Sequence, residues 1–457
     1  MTSIVTVNVS QTIAPTPSKL QKTGALISQG ATTLAADASS LLTQLADLAD
    51  IIRPAAALTA LAWSGGIVTA ATVAPHGFPT GDIVPMTIAG ASPAGYNGTF
   101  DCTITGASGF TYAVASDPGA ETVPGTYIPA AVAELTAMAT TFFAQGAQQG
   151  VYVLELGGGD AATGVAALED WIDANPGFFY SYLAPRSWAD ESTYLTFLAG
   201  FEALTSKTYF FTTVDSSNYS DFEDIKCVFA LIEAPATPAT EFSAAAPFHV
   251  TLNYDPSSTN KVTPTAFSYL FGVTAYPTAG NSVLLAALKA AGVNVVGTGA
   301  EGGISNAILL WGTTMDVRDF TYWYSVDWVQ INAELDLAAA VINGSNNPAN
   351  PLYYNQDGIN RLQAVLAGTM SRAITFGMAL GTVIQTALDG AQFQAALNDS
   401  TFAGSIAVNA VPFIPYSADN PSDYSVGRYA GLSVQYTPAR GFIAIVVNLN
   451  VSDFVTQ

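Results

Sequence analysis

The chain has 457 residues, enough for roughly three domains of ordinary size. Hydrophobic residues make up 50% of it and charged residues 11%, so much apolar surface must be buried. Because no apolar run approaches the ~18 residues that span a bilayer, we expect this apolar surface to be buried at subunit interfaces. Thirteen Lys and Arg against 35 Asp and Glu give a net charge of −22, which opposes contact with a phosphate backbone and excludes nucleic acid as a direct partner.

The amino-terminal region and the cysteines exclude two further classes of protein. The first 30 residues lack a basic start followed by an apolar run, so we expect no secretory signal and a protein made in the cytoplasm. Cys102 and Cys227 have no Cys or His near either of them in the sequence, which excludes a disulfide framework and a zinc cluster. We expect both to be small core residues.

The chain opens with a pattern typical of a single strand. Residues 3–10 alternate apolar and polar side chains with the period of two that marks a half-buried strand. The prolines in Gln11–Pro17 predict an extended link, and Leu34–Ile52 predicts a helix that stops before Pro54. The apolar strand positions are Val5, Val7 and Val9. We expect residues 1–17 to form an N-terminal arm strand and linker.

Residues 57–127 differ in character and predict a small all-β domain. Gly, Thr, Ser and aromatic residues dominate, with turn motifs every several residues. These motifs are GG at 65–66, PHG at 75–77, TGD at 80–82 and AGYNGTF at 94–100. The flanks, residues 18–56 and 128–149, are interpreted as helical parts of a core, so the domain is expected to be an insertion. No Lys or Arg occurs from Pro54 to Pro185, so whatever packs there must be neutral, basic or apolar.

Residues 150–235 alternate predicted strands and helices, which indicates an α/β layer with a parallel component. The segments are VYVLEL, Val165–Ala174, FFYSYLA, Glu191–Leu204, KTYFFTTV and KCVFALIEA. Residues 236–439 predict a second mixed core. It contains a helix at Leu284–Ala291, the strand VNVV, and two long helices at about Tyr322–Ile342 and Asp357–Leu380.

Residues 440–457 predict a second lone strand, a C-terminal arm. Its apolar positions on one face are Ile443, Ile445, Val447, Leu449 and Val451. The expected fold class is therefore a multidomain α/β and α+β protein. Mixed sheets are flanked by helices, a small all-β domain is inserted, and the terminal strands are extended.

Two glycine-rich segments are candidates for a dinucleotide site. GTGAEG at 297–302 follows a predicted strand, but GISNAILLWG after it favours a strand and not the helix whose N-terminus would bind a pyrophosphate. GGGDAA at 157–162 lies between a strand and a helix, yet the next strand ends at Pro185 without the acidic residue that binds a ribose. We interpret the first as a loop and the second as a tight turn.

The candidate catalytic and metal-binding side chains lack partners. Hydrolysis by a nucleophile needs a histidine base, and only His76 and His249 occur, without any G-x-S-x-G motif; we expect turn or helix-surface roles for both. Asp316 and Asp319 could bind a metal, but Arg318 beside Asp316 favours a turn. Glu169, Asp170 and Asp173 surround Trp171 and Ile172, as on an amphipathic helix. We expect no enzyme, no cofactor and no metal.

Several segments together resemble the contractile tail sheath family of myovirus-type bacteriophages. They are VYVLELGGGDAATGVAALEDWIDANPGFFYSYLAP, AAAPFHVTLNYDP at 244–256, and the run from AGVNVVGTG to AELDLAAAV. The resemblance covers roughly residues 130–457 and the N-terminal strand. Positions that fit the family pattern are Gly312, Thr313, Thr314, Asp327, Gln330 and Ile331. Val317 departs from it, since a small residue often follows the first Asp. Residues 57–127 resemble a β-module of phage virion proteins.

The resemblance implies a structural subunit of a virion. Such subunits stack as hexameric rings around a tail tube, contract to drive the tube through the host envelope, and meet baseplate and tail terminator proteins, without direct nucleic-acid binding or membrane insertion. Their terminal arms add strands to neighbouring sheets, which is the role expected here for the eight apolar residues of the two arms. In this view Gln11–Pro17 and Thr437–Gly441 are flexible links.

Other interpretations remain open from the sequence. Both terminal strands could belong to the sheet of their own subunit. The chain could be the sheath of a related contractile injection system, a cell-surface glycan-binding protein, or an oxidoreductase with a nucleotide on Gly297–Gly302. Residues 57–127 could be a passive outer spacer or could bind host glycans or neighbouring subunits.

Overall fold

The computed structural model describes residues 18–146, 149–277, 279–299 and 306–442. The α-helices are α1 (Ala131–Ala144), α2 (Ala161–Ala174), α3 (Ser192–Ala199), α4 (Ala245–Leu252), α5 (Ser282–Ala290), α6 (Phe320–Ser345), α7 (Gln356–Thr375), α8 (Gly390–Asn398), α9 (Phe413–Asp419) and α10 (Pro421–Ser425). Short 3-10 helices span Leu20–Lys22, Leu45–Asp50, Ala94–Tyr96, Arg186–Asp190 and Tyr219–Phe222. Within these described ranges no helix has the length and apolar character needed to cross a membrane.

The strands fall into one large sheet, one barrel and two small sheets. Those of the first half are β1 (Gly24–Ser28), β2 (Ser39–Leu42), β3 (Ala56–Ser64), β4 (Ile67–Thr72), β5 (Ile83–Ala89), β6 (Gly98–Gly106), β7 (Gly109–Ala113), β8 (Thr126–Pro129), β9 (Val151–Glu155) and β10 (Ser181–Leu183). Those of the second half are β11 (Tyr209–Val214), β12 (Val228–Ile232), β13 (Asn294–Thr298), β14 (Ala307–Leu310), β15 (Ala379–Leu380), β16 (Thr382–Thr386), β17 (Ser405–Ala410), β18 (Leu432–Gln435) and β19 (Thr437–Pro438).

The large sheet is predominantly parallel. Its order over the described strands is β14-β13-β12-β11-β10-β1-β9-β2, and only the edge strands β14 and β2 run antiparallel to their neighbours. Strands buried on both faces need continuous apolar sequence, which explains why every residue of β11 (YFFTTV) and β12 (VFALI) is buried. The predicted α/β layer with a parallel component is confirmed.

Helices cover both faces of this sheet, as parallel strands require. Phe142 of α1, Phe248 of α4 and Phe320 of α6 pack into the apolar core on one face. Leu168 of α2 and Leu288 of α5 belong to the core on the other face, together with Cys227. Cys227 is a buried free thiol, as the sequence predicted.

The helix predicted over Leu34–Ile52 is wrong, and so is the helical interpretation of residues 18–56. That segment contributes strands β1 and β2 to the large sheet, followed by the 3-10 helix Leu45–Asp50. Ser39–Leu42 pairs antiparallel with β9, so pairing with a distant strand overrides the helical spacing of the leucines. The helix predicted after the insertion is confirmed as α1.

Residues 56–129 form the predicted all-β module. Strands in the order β3-β4-β7-β6-β5-β8 close into a barrel, which removes the free strand edges of this module. Its interior is filled by an apolar cluster that includes Phe110, Tyr112 and Cys102, and Cys102 is a buried free thiol. Because the chain passes from β2 through the barrel to α1 and β9, the barrel is inserted between strands of one sheet.

The long helices α6 and α7 connect the large sheet to the small ones. α6 has 26 residues and is about 39 Å long at 1.5 Å per residue. Its first half packs under the large sheet through Phe320 and Tyr324, and α7 packs on this core through Leu366 and Met370. The predicted fold class, mixed sheets flanked by helices in a multidomain chain with a β insertion, is confirmed; the exact domain boundaries stay predictions.

Candidate assembly surfaces

The residues predicted to join subunits lie outside the described part of the chain. Val5, Val7 and Val9 fall in residues 1–17, and Ile443, Ile445, Val447, Leu449 and Val451 fall in residues 443–457. The structure does show where the two terminal segments leave the body. We call these places the N-terminal root (residues 18–24) and the C-terminal root (residues 437–442).

The N-terminal root is attached to helix α6 and to the end of α4. Buried Gln21 donates a hydrogen bond from Nε2 to the carbonyl oxygen of Tyr324 over 2.9 Å. Lys22 forms an ion pair with Asp255, just beyond α4. Residues 24–28 then enter the large sheet as β1, so the chain is fixed within a few residues of Ser18.

The C-terminal root is attached to the first turn of the same helix. The amide of Gly441 donates to Oδ2 of Asp319 over 3.3 Å, while Oδ1 of Asp319 caps α6 by accepting from the amide of Thr321 at 2.9 Å. The guanidinium of Arg440 lies 5.4 Å from the ring centroid of Tyr322. Residues 437–441 are hydrogen-bonded to the body in this structure, and the expectation that they act as a flexible link during contraction stays a prediction.

Gly441 approaches its neighbours too closely for any other residue. A Cβ atom on Gly441 would overlap the Cβ of Pro264. Asp319 beneath it is buried, and burial raises the pKa of its carboxyl above the ordinary value. The C-terminal root is thus a specific, tightly packed contact.

Open strand edges are the surfaces to which a further strand could add. In the described residues β16 pairs only with β17, and β18 only with β17, so neither outer edge of the small three-stranded sheet is paired with another described strand. In the large sheet, the outer edge of β14 is covered by residues 267–270, since Leu270 donates to the carbonyl of Ala307 at 2.9 Å. Unpaired edge groups can template an added strand, so β16 and β18 are candidate acceptors.

The loop of residues 74–79 contributes contacts that attach the barrel to the core. The guanidinium of Arg53 donates to the carbonyl of His76 at 2.8 Å and lies 4.8 Å from the ring centroid of Phe78. The ring of Phe78 fills the space beside Gly158, where a Cβ would overlap it. His76 is buried, and its Nδ1 accepts from the amide of Phe78 at 3.1 Å. His76 therefore has the predicted turn role, with a partner that the sequence did not reveal.

An ion cluster centred on Arg186 lies at the carboxyl edge of the parallel sheet, where α/β proteins bind ligands. Its guanidinium forms two hydrogen bonds of 2.9 Å with Glu233 and lies 3.6 Å from Glu134. It also donates to the carbonyl of Glu241 at 2.7 Å. Burial raises the pKa of Glu134. This cation is fully engaged by acidic partners and is not free for an anionic ligand.

Both glycine-rich segments have the geometry of connections between elements. β13 includes Gly297 and Thr298, and the next described element is the antiparallel strand β14, which does not provide the helix a dinucleotide would need. Residues 300–302, the last three of GTGAEG, lie outside the described part. At 157–162, Asp160 caps α2 by accepting from the amide of Thr163 at 2.9 Å, as expected for a strand-to-helix turn.

Asp316 and Asp319 have local structural roles. Asp316 accepts from the hydroxyl of Thr314 at 2.6 Å and from the indole of Trp323 at 3.0 Å, and Asp319 caps α6. In the part of the chain that the structure describes, no three His, Cys, Asp or Glu side chains gather as a metal site. The acidic residues 169, 170 and 173 are exposed around buried Trp171, as predicted.

The prediction of a surface role for His249 is wrong. His249 is buried in α4, and its ring contacts that of Phe142 edge to face at 4.8 Å between centroids. Burial lowers the pKa of His249 to about 4. Glu155, which no sequence motif marked, is buried as well. It accepts from the amides of Gly30 at 2.6 Å and Gly157 at 2.9 Å, and so joins the ends of β1 and β9.

Comparison with known proteins identifies a shared fold. No family model matches the chain, and no curated protein matches it. Among solved structures, it is similar to the contracted helical sheath of the anti-feeding prophage, determined by cryo-EM. The TM-score is 0.51 at 13% sequence identity, and the match covers 99% of this chain and 100% of that chain. The chain thus has the fold of a polypeptide found in a helical sheath.

Proposed function

We propose that this chain is the structural subunit of a contractile sheath, specifically of a phage tail. The observation that carries the proposal is the end-to-end likeness of fold to the contracted anti-feeding prophage sheath. The low charge content of the chain supports it, because much apolar surface would be buried between copies. In this account the subunits form hexameric rings that stack around a tail tube, with baseplate and terminator proteins at the two ends.

The terminal arms would connect the subunits. The N-terminal root reaches α6 at Tyr324 and the C-terminal root reaches it at Asp319, so both arms leave from the first half of one helix. The open edges of β16 and β18 could each accept a strand from a neighbouring copy. Contraction would then be a rigid-body rotation of the subunits, with the arms remaining bound.

The arm account is tested by removing the C-terminal arm. Deleting residues 440–457 is expected to leave a folded monomer that no longer polymerises, as seen by size-exclusion chromatography and negative-stain electron microscopy. A more specific test compares two single variants, Val447→Asp and Asn448→Asp, which add the same charge at neighbouring positions of the arm. If the apolar face of the arm binds a neighbour, only Val447→Asp blocks assembly, because burying an unpaired carboxylate is costly. Polymerisation of the deletion variant would refute the arm account.

The main alternative is the sheath of a contractile injection system that carries no genome, and it is favoured by the anti-feeding prophage match itself. The inserted barrel favours the phage tail, since a similar β-module occurs in phage virion proteins. Native particles that contain this chain distinguish the two. Nuclease-protected DNA in such particles supports the phage tail, whereas assembled particles without DNA support the injection system.

A further inference from the structure

Helix α6 carries a buried carboxylate that the proposed assembly does not use. Asp327 is 0% exposed. Its Oδ2 accepts hydrogen bonds from the hydroxyls of Tyr180 at 2.8 Å and Tyr209 at 2.9 Å. Its Oδ1 has no hydrogen-bond partner within the described residues. The carboxyl therefore joins α6 to the amino-terminal ends of β10 and β11 through one oxygen only.

Among the described residues, no charged group forms a direct ion pair with this carboxylate. Lys226, just before β12, donates to the carbonyls of Ala203 and Ser206 at 3.2 and 2.9 Å. Lys207, just before β11, lies 3.4 Å from Glu334. The remaining titratable groups that face Asp327 are Tyr324 on its own helix and Tyr436 beyond β18. Both lysines therefore affect Asp327 only through longer-range electrostatic attraction.

An ionised carboxylate in this position is costly. Burial without an ion pair disfavours the charged form. The two tyrosine hydroxyls and the distant lysines offset this cost only in part. Burial therefore raises the pKa of Asp327 to about 6. A modest change of pH below neutrality thus changes the protonation of this carboxyl.

We propose that protonation of Asp327 controls the contact between helix α6 and the amino-terminal edge of the large sheet, and we call this contact the latch. In the latched state Asp327 is buried against Tyr180 and Tyr209, and in the opened state this contact is broken. Uptake of one proton at Oδ1 neutralises the buried charge and leaves Oδ2 to accept from both tyrosines, which tightens the contact. Loss of the proton restores the unpaired charge and loosens it. Because Gln21 and Gly441 both attach to this half of α6, the latch acts on the helix from which the two terminal segments leave.

The sign of the pH dependence follows from linkage. A carboxyl whose pKa is higher in the latched state than in the opened state, where it is near 3.9, binds a proton on latching. Latching is therefore favoured as the pH falls through 6 and is complete below about 4. Between pH 7.5 and pH 5 the equilibrium constant for latching rises about tenfold from this group.

Infrared spectroscopy tests the proton directly. In full-length protein labelled with ¹³C at aspartate carboxyls, we expect a protonated carboxylic acid band that titrates near pH 6, above the value near 4 of an exposed aspartate. Because the pKa of buried Asp319 is raised as well, the band is assigned to Asp327 by substitution. Asp327→Asn should remove this band, and Asp173→Asn, on an exposed helix face, should leave it. Absence of any aspartate band that titrates above pH 5 in the unmodified protein would overturn the proposal, whether or not the variants fold.

Hydrogen exchange tests the conformational consequence. At pH 5, after correction for the intrinsic exchange rate, amides of residues 320–332 should be about tenfold more protected than at pH 7.5. Asp327→Asn, which is neutral at both pH values, should show no such difference, and Asp173→Asn should retain it. Equal pH dependence in Asp327→Asn and in the unmodified protein would contradict the latch.

Discussion

The amide of Gly441 donates a hydrogen bond to Oδ2 of Asp319 over 3.3 Å, which ties the C-terminal root to the residue that caps helix α6. The N-terminal root reaches the same helix at Tyr324, five positions further along. Adjacent positions of a helix rise by about 1.5 Å, so the two attachments lie within about 8 Å of each other along the axis. A displacement of α6 would therefore move both terminal segments together.

Replacing Gly441 by alanine should disturb the C-terminal root without unfolding the chain. The added Cβ would overlap Pro264, and local overpacking of this kind costs about 1–3 kcal/mol. We expect a folded monomer by circular dichroism with impaired polymerisation in sedimentation assays. Gly390→Ala is the matched control, because a Cβ there meets nothing within 4 Å. Normal polymerisation of Gly441→Ala would show that the position of this root does not matter for assembly.

Loss of Arg186 should destabilise the protein. Arg186→Met leaves Glu134 and Glu233 close together without their cation, and breaking such a partly buried cluster costs about 3 kcal/mol. A fall in the midpoint of urea unfolding measures this effect. Lys289→Met removes one positive charge from α5 away from any described ion pair and should change the midpoint little. Similar values for the two variants would mean that the cluster contributes nothing specific.

Gly158→Ala should loosen the barrel from the core. Its Cβ would occupy the space of the Phe78 ring, so the loop 74–79 must move, at a cost of about 1–3 kcal/mol. Limited proteolysis should then cut the connections of the barrel near residues 53–56 and 129–131 faster. Gly368→Ala on α7, where a Cβ meets no atom within 4 Å, should not increase cleavage. Unchanged cleavage of Gly158→Ala would show that the Phe78 contact does not hold the barrel.

Protonation of His249 should destabilise the protein at acid pH. Its pKa is lowered to about 4 by burial, against about 6.5 in an unfolded chain, so the unfolded state binds more protons between these values. Stability from this group is present above pH 6.5 and is lost as the pH falls towards 4, by about 2–3 kcal/mol. His249→Phe, which retains the aromatic contact with Phe142, should reduce this loss in urea titrations at pH 7 and pH 4.5. An unchanged loss would assign the acid sensitivity to other groups.

The large elements of the fold were predictable because their own sequence determines them. The continuous apolar run of β11 predicts a strand buried on both faces, and the apolar periodicity of residues 322–342 predicts α6. The segment Ser39–Leu42 was not predictable, since its leucines also fit a helix and only pairing with β9 makes it a strand. The surface role predicted for His249 failed for a similar reason, because α4 is covered by α1.

The contacts at the candidate assembly surfaces join residues that are far apart in the sequence, so no short sequence motif predicts them. Arg186 contacts Glu134 and Glu233, which are 52 and 47 residues away, so no short motif contains the cluster. The attachment of Gly441 to Asp319 spans 122 residues. By contrast, the alternating residues of the two arms were recognisable by period alone, and their role in assembly stays a prediction.

Negative-stain electron microscopy of the purified full-length chain, over a series of increasing concentrations, tests the sheath proposal most directly. The account predicts rings with six-fold symmetry in class averages, stacking into tubes as the concentration rises. Uniform monomers at every concentration would contradict it and would favour the glycan-binding or enzymatic interpretations.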